Sequence, residues 1–111
     1  MKFKDEIKGD VGILAMKGKL MGPPEGDEMH TEVRSLLGQG AKKIVLDMGG
    51  VTWINSLGVG AIMRCYTSIV NSNGKLTIAN PADKVKYIFS MIRLMELFNV
   101  SESVEDAVAK L

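Results

Sequence analysis

The sequence predicts an α/β fold: a mostly parallel mixed sheet with helices packed on it, in a single domain spanning residues 1–111. Three observations predict it. The chain has 111 residues and is 46% hydrophobic, the size of one domain with a real core. Short apolar runs alternate with segments of helical period in the order β-β-α-β-α-β-α-β-α. Strands that alternate with helices pair in parallel through right-handed crossovers. No internal repeat, low-complexity run or linker interrupts the pattern.

Residues 2–8 and 10–18 read as two strands around a turn at Gly9-Asp10. The second contains Val11-Gly12-Ile13-Leu14-Ala15-Met16, apolar on both faces, which places it inside the sheet. Gly22-Pro23-Pro24-Glu25 breaks the chain, and Glu25, Asp27 and Glu28 suit the positive end of a helix. Met29, Val33, Leu36 and Leu37 form its buried stripe, and Gly38 or Gly40 ends it. Lys43-Ile44-Val45-Leu46-Asp47-Met48 is a short strand, broken by Gly49-Gly50. Val51-Thr52-Trp53-Ile54 then leads to Asn55-Ser56 and a second helix. Its apolar face is Val59, Ile62, Met63, Tyr66, Ile69 and Val70, and Asn73-Gly74 stops it. Lys75-Leu76-Thr77-Ile78-Ala79 is a further strand. Pro81 precedes a third helix from about Asp83, with Val85, Ile88 and Ile92 inward. Phe98-Asn99-Val100 reads as a brief last strand. Ser103 with Asp106 has a capping-box spacing and opens a C-terminal helix, with Val104, Val108 and Leu111 on one side.

Composition excludes several function classes. Charged residues are 24% and the net charge is +1, with lysines and arginines scattered, so there is no basic stripe for nucleic acid. Cys65 is the only cysteine, which forbids an internal disulfide and fits a reducing compartment. Met1-Lys2-Phe3-Lys4-Asp5-Glu6 carries acids where a signal peptide needs an apolar run. No stretch approaches the roughly 18 apolar residues of a membrane span, so a cytoplasmic chain without membrane insertion is expected.

No enzyme is expected either. Cys65, His30 and Asp47 could be imagined as a nucleophilic set, but Cys65 sits mid-helix among Met63, Tyr66 and Ile69 and reads as a buried thiol. One histidine without a close second ligand makes no metal site. Neither Gly22-Pro23-Pro24-Glu25-Gly26 nor Gly49-Gly50 has the Gly-Lys-Ser/Thr ending of a nucleotide-binding loop, so no cofactor is expected. Of the eight methionines, Met29, Met63 and Met91 fall on helical core stripes and read as packing.

The informative segment is Asn55-Ser56-Leu57-Gly58-Val59-Gly60, where a strand ends and a helix starts. Ser56 suits the N-cap, with its hydroxyl accepting from a first-turn N–H. Gly58, Gly60 and Ala61 keep the first turn thin, open to the sheet or to another surface. The unpaired N–H groups and the positive helix end also suit a phosphate on Ser56. Trp53 reads either as a core aromatic at the sheet edge or as an exposed binding anchor. Leu57 is an apolar residue in a first turn, which calls for a partner or the core to cover it.

Over nearly its whole length the chain resembles the STAS domains of bacterial anti-sigma factor antagonists. Ile44 to Ser56 resembles the family's strand and phosphorylation loop. Gly18 to Glu25 resembles its exit from the second strand, Asn73-Gly74-Lys75-Leu76 its turn into the fourth strand, and Leu94 to Val100 with Ser103 to Ala107 its C-terminal end. The family loop commonly reads Asp-Ser-(Ser or Thr)-Gly-Leu-Gly, with the first serine phosphorylated. Ser56 falls on that serine, Gly58 and Gly60 on the glycines and Val59 on the leucine. Asn55 stands in place of the aspartate, and Leu57 in place of the second hydroxyl residue. The resemblance implies a phosphorylation-switched binding domain. Its partners would be an anti-sigma factor with Ser/Thr kinase activity and a Ser/Thr phosphatase. Docking is expected through Trp53, Asn55, Leu57, Gly58 and Val59, rimmed by Leu20 to Pro24, because a phosphate on Ser56 can control binding only in or beside the contact. The alternatives are a STAS accessory subunit of a membrane ABC transporter and a scaffold in a signalling complex.

Overall fold

A computed structural model of the chain describes residues 1–91 and 97–110. Ile92, the Leu94-Met95-Glu96 part of the resemblance and Leu111 lie outside the described residues. Strands β1 (Lys2–Lys8), β2 (Val11–Leu20), β3 (Lys43–Ile54) and β4 (Lys75–Ala79) form one sheet in the order β1-β2-β3-β4. β1 pairs antiparallel with β2 through the Gly9-Asp10 turn, and the β2/β3 and β3/β4 pairs are parallel. Helices α1 (Glu25–Gly38), α2 (Ser56–Asn71), α3 (Asp83–Met91) and α4 (Val104–Lys110) complete the described fold.

Alternation along the strands divides the core between two faces. Leu14, Ile44, Leu46 and Ile78 are fully buried, packing with Met29, Val33 and Leu36 of α1, Ile62, Cys65 and Ile69 of α2, and Val85 and Phe89 of α3. Side chains of this size each stabilise the fold by roughly 1.5–3 kcal/mol on burial. On the other face Val11, Ile13, Val45 and Ala79 meet Ala107 of α4, flanked by Val104 and Val108. The Ser103 hydroxyl accepts the Asp106 N–H at 3.1 Å and caps α4.

Three expectations change. Gly49-Gly50 does not break β3, which runs on to Ile54. Beyond Asp47 the strand leaves β4 and pairs with β2 alone, with register shifts at Ala15/Lys17 and Gly18/Lys19. A Cβ on Gly50 would lie 2.7 Å from the Met16 carbonyl oxygen, so the glycine serves a close strand approach rather than a turn. The last strand, expected over Phe98-Asn99-Val100, is a turn followed by one parallel bridge from Ser101 to Ala79. Ile78 and Asn80 donate to Phe98 and Ser101 carbonyls, so the segment follows β4 but is too short to be a strand. Val70 and Met91, placed on core stripes by periodicity, are exposed, because α2 and α3 turn those positions away from the sheet.

Candidate functional site

The site lies where β3 ends and α2 begins. Asn55, not Ser56, caps the helix: its backbone is extended and its Oδ1 accepts the Gly58 N–H at 2.9 Å. Asparagine and serine are comparable caps. The tie is broken by the other end of the amide, since Asn55 Nδ2 donates to the Met21 carbonyl at 3.1 Å and so clamps the exit of β2 to the start of α2. A serine at that position could not span both. Ser56 therefore becomes the first helical residue, exposed, and its hydroxyl makes no hydrogen bond among the described residues.

The two glycines have different jobs. Gly58 is buried, and a Cβ there would collide with the Leu20 carbonyl oxygen and come within 2.9 Å of Ile54 Cγ1. It lets the helix sit against the sheet. Gly60 has nothing within 4 Å of where a Cβ would stand. On the far side of the same helix, a Cβ on Gly26 would come 2.8 Å from the Ala61 Cβ, so small residues also set the α1–α2 approach.

Large apolar side chains are exposed on the segments that meet at the start of α2. Leu57 is 60% exposed, and Met21 and Trp53 are 43% exposed each. Leu57 lies over the backbone of Gly22, where a Cβ would stand 3.1 Å from its own. Val59 is half-buried and joins the main core. Leu20 and Gly22 are buried, so only Met21, Pro23 and Pro24 of the expected rim reach the surface. Trp53, left open between core and surface, presents nearly half its area and lines a shallow cavity of about 370 Å³ with Asp83, Lys84, Tyr87 and Ile88 of α3. Tyr87, 64% exposed, is a surface aromatic that the sequence reading passed over. Its signal was legible: it lies off the Val85, Ile88 and Phe89 stripe, on what should be a polar face.

Cys65, His30 and Asp47 go to separate places. Cys65 is fully buried, and burial pushes its thiol up to about 12. His30 Nε2 lies 2.7 Å from Ser68 Oγ. Asp47 Oδ1 accepts the Gly49 N–H at 3.0 Å. Among the described residues no group of three or more His, Cys, Asp or Glu could hold a metal ion, and no helix is long and apolar enough to cross a membrane.

Known proteins share this fold. A Bordetella bronchiseptica protein, the candidate anti-sigma factor antagonist BtrV, is 23% identical over 95% of this chain and 89% of its own. The crystal structure of a candidate anti-sigma factor antagonist from Thermotoga maritima superposes with a TM-score of 0.86 at 26% identity, covering 97% of this chain and 92% of that one. The anti-sigma factor antagonist SpoIIAA in its unphosphorylated form has the same fold, with a TM-score of 0.80 at 18% identity over 98% of this chain and 95% of that one. The STAS domain profile matches residues 2–107, and the chain belongs to the STAS domain family.

Proposed function

We propose that this chain is an anti-sigma factor antagonist whose docking to its partner is switched off by phosphorylation of Ser56. The observation that carries the reading is the position of Ser56: an exposed hydroxyl, free of capping duty, set beside the exposed Met21, Trp53 and Leu57. The names of the relatives support the class of partner. The unphosphorylated domain binds an anti-sigma factor that is also a Ser/Thr kinase, which frees the sigma factor. On that complex the Ser56 oxygen attacks the γ-phosphorus of ATP held by the kinase. The hydroxyl proton passes to a base on the kinase, and ADP leaves. A Ser/Thr phosphatase resets the domain by hydrolysis.

The helix and the partner treat the phosphate differently. At the start of α2 the unpaired N–H groups and the dipole tolerate an anion. The group adds about −1.5 to −2 charges, enough to reverse the sign of a chain of net charge +1. A partner that covers Met21, Trp53 and Leu57 would have to bury that charge, which costs several kcal/mol without a matching cation. Isothermal calorimetry against the cognate anti-sigma kinase tests the reading. Ser56→Ala binds as tightly as the unphosphorylated wild type and persists in the presence of ATP. Ser56→Asp, with about half the charge of a phosphate, binds at least about tenfold more weakly. Both variants keep the helix start, because Asn55 caps it. Equal affinity for wild type and both variants would overturn the switch.

A further inference from the structure

One end of the sheet carries a row of lysines on the face away from α1, α2 and α3. Along β2, Leu14, Met16 and Leu20 join the core under those three helices, while Val11 and Ile13 meet α4. Alternation therefore puts Lys17 and Lys19 on the α4 side, past the part of β2 that α4 covers, and both are exposed. Lys2 of β1 stands directly opposite Lys17, and Lys4 follows it on the same face, both exposed. Opposite side chains lie about 5 Å apart at Cβ, and successive ones on a face about 7 Å apart. Each charge thus stands within a Debye length of the next. None of the four lysines makes an ion pair among the described residues. Glu6 and Asp47 share the face, but Asp47 Oδ1 accepts the Gly49 N–H instead. At the other end of the same strands Lys43 has its own acid, Asp10, at 3.8 Å. Lysines on an edge strand discourage pairing with another chain, which accounts for Lys2 and Lys4. It does not account for Lys17 and Lys19, which belong to an inner strand.

We propose that Lys2, Lys4, Lys17 and Lys19 form a steering strip for an acidic surface of the anti-sigma partner, continuous with the contact around Trp53. The inference rests on the docking reading above and extends it to a second face of the domain. Two observations choose this occupant. Lys19 is the register partner of Trp53, so the strip runs into the surface made by Met21, Trp53 and Leu57. The net charge of the chain is only +1, so a polyanion such as nucleic acid or an anionic membrane gains little from the molecule as a whole. The strip instead offers a local field beside an apolar anchor. Like charges directly opposite each other, as in Lys2 and Lys17, are unfavourable in the free domain. An acidic surface laid over them removes that repulsion. Charges at the rim of a contact act mainly on the association rate and its salt dependence. The strip therefore speeds encounter, while the apolar contact sets how long the complex lasts. A phosphate on Ser56, three positions past Trp53, places negative charge at the end of the strip and opposes the same attraction.

Stopped-flow association of the intact chain with the cognate anti-sigma factor tests the strip. Lys17→Glu combined with Lys19→Glu should slow association by at least about tenfold at low salt. The difference should vanish near 1 M salt, where the Debye length falls to about 3 Å. Lys17→Arg combined with Lys19→Arg keeps the charge and should keep the rate. The control is Lys8→Glu combined with Lys75→Glu, the same change in net charge at the other end of the strands. Lys8 is six positions from Lys2 on β1, about 20 Å away, and this pair should alter the rate by less than about twofold. Equal slowing by both acidic pairs, no slowing by either, or slowing that persists at high salt would overturn the proposal. So would binding to phosphatidylglycerol vesicles that is lost in the Lys17 and Lys19 variant, which would assign the strip to lipid. The Ser56 switch is judged separately by Ser56→Asp with the lysines intact. If that variant binds like wild type the switch falls, and if it alone weakens binding only the strip falls.

Discussion

At the scale of single residues, the start of α2 turns on Asn55 and Ser56, which are close to equivalent as caps by chemistry alone. The sequence admits either. The Met21 carbonyl decides, because only the asparagine amide reaches it while still accepting from Gly58. That contact joins residues 34 positions apart, so no local pattern could reveal it. The serine at the helix start was legible, but its freedom from structural duty was not. Asn55→Ala should therefore destabilise the domain by about 0.5–2 kcal/mol, whereas Ser56→Ala should change stability by less than about 0.5 kcal/mol. Urea midpoints measure both, and a larger loss from Ser56→Ala would return the cap to the serine. Leu57 offers a second contrast. It is 60% exposed, so Leu57→Glu should leave the circular dichroism melt within a few degrees of wild type. If the proposed docking surface is right, the same change cuts affinity for the anti-sigma partner by at least about tenfold. Undiminished affinity would move the interface away from the start of α2.

At the scale of elements, glycines were read by propensity, and propensity misplaced one pair of them. Gly49-Gly50 looks like a break because glycine weakens strands. β3 nevertheless continues, since the pair sits where β2 and β3 shift register and need close backbone approach. Helix periodicity did better, because Met29, Val33 and Leu36 on α1 and Ile62 and Ile69 on α2 are all buried. It failed at Val70, near the end of α2, which the helix turns away from the sheet next to the buried Ile69. Gly58 and Gly60 convert this into a prediction of opposite signs within one helical turn. Gly58→Ala puts a methyl into the Leu20 carbonyl, a backbone atom that cannot swing aside, and should cost about 1–3 kcal/mol despite the better helix propensity of alanine. Gly60→Ala meets nothing within 4 Å and should stabilise by about 0.5–1 kcal/mol. Denaturant midpoints for the two variants should fall on either side of wild type, and a shift of both in one direction would refute the packing account.

At the scale of the whole molecule, the fold class and the parallel crossovers followed from strand–helix alternation. The loss of the last strand did not, because Phe98 to Ser101 has strand-like residues but only enough length for a bridge. Long-range electrostatics were the least legible layer. The Asp5 carboxyl on β1 faces Glu32 on α1, two acids brought together only by the packing of the first helix over the edge strand. Burial, and then Asp5, hold the Glu32 pKa above its ordinary value. The unfolded chain thus gives up this proton more readily than the folded one. The Glu32 contribution to stability is full below the ordinary glutamate pKa and is lost as pH rises through the folded value. His30 works in the opposite sense. Its pKa is lowered by desolvation and then by Arg34 and Arg64, so its contribution is full above the ordinary histidine pKa and is lost as pH falls through the folded value. Glu32→Gln removes the first effect alone. At neutral pH it should raise the urea midpoint, by an amount below about 0.5 kcal/mol because water still reaches the half-buried group and screens it. Below the ordinary glutamate pKa the two proteins should unfold together, since both then carry a neutral side chain at this position. A gain that persists unchanged at the acidic end would mean that packing, not the meeting of two carboxylates, sets the stability of the α1–β1 contact.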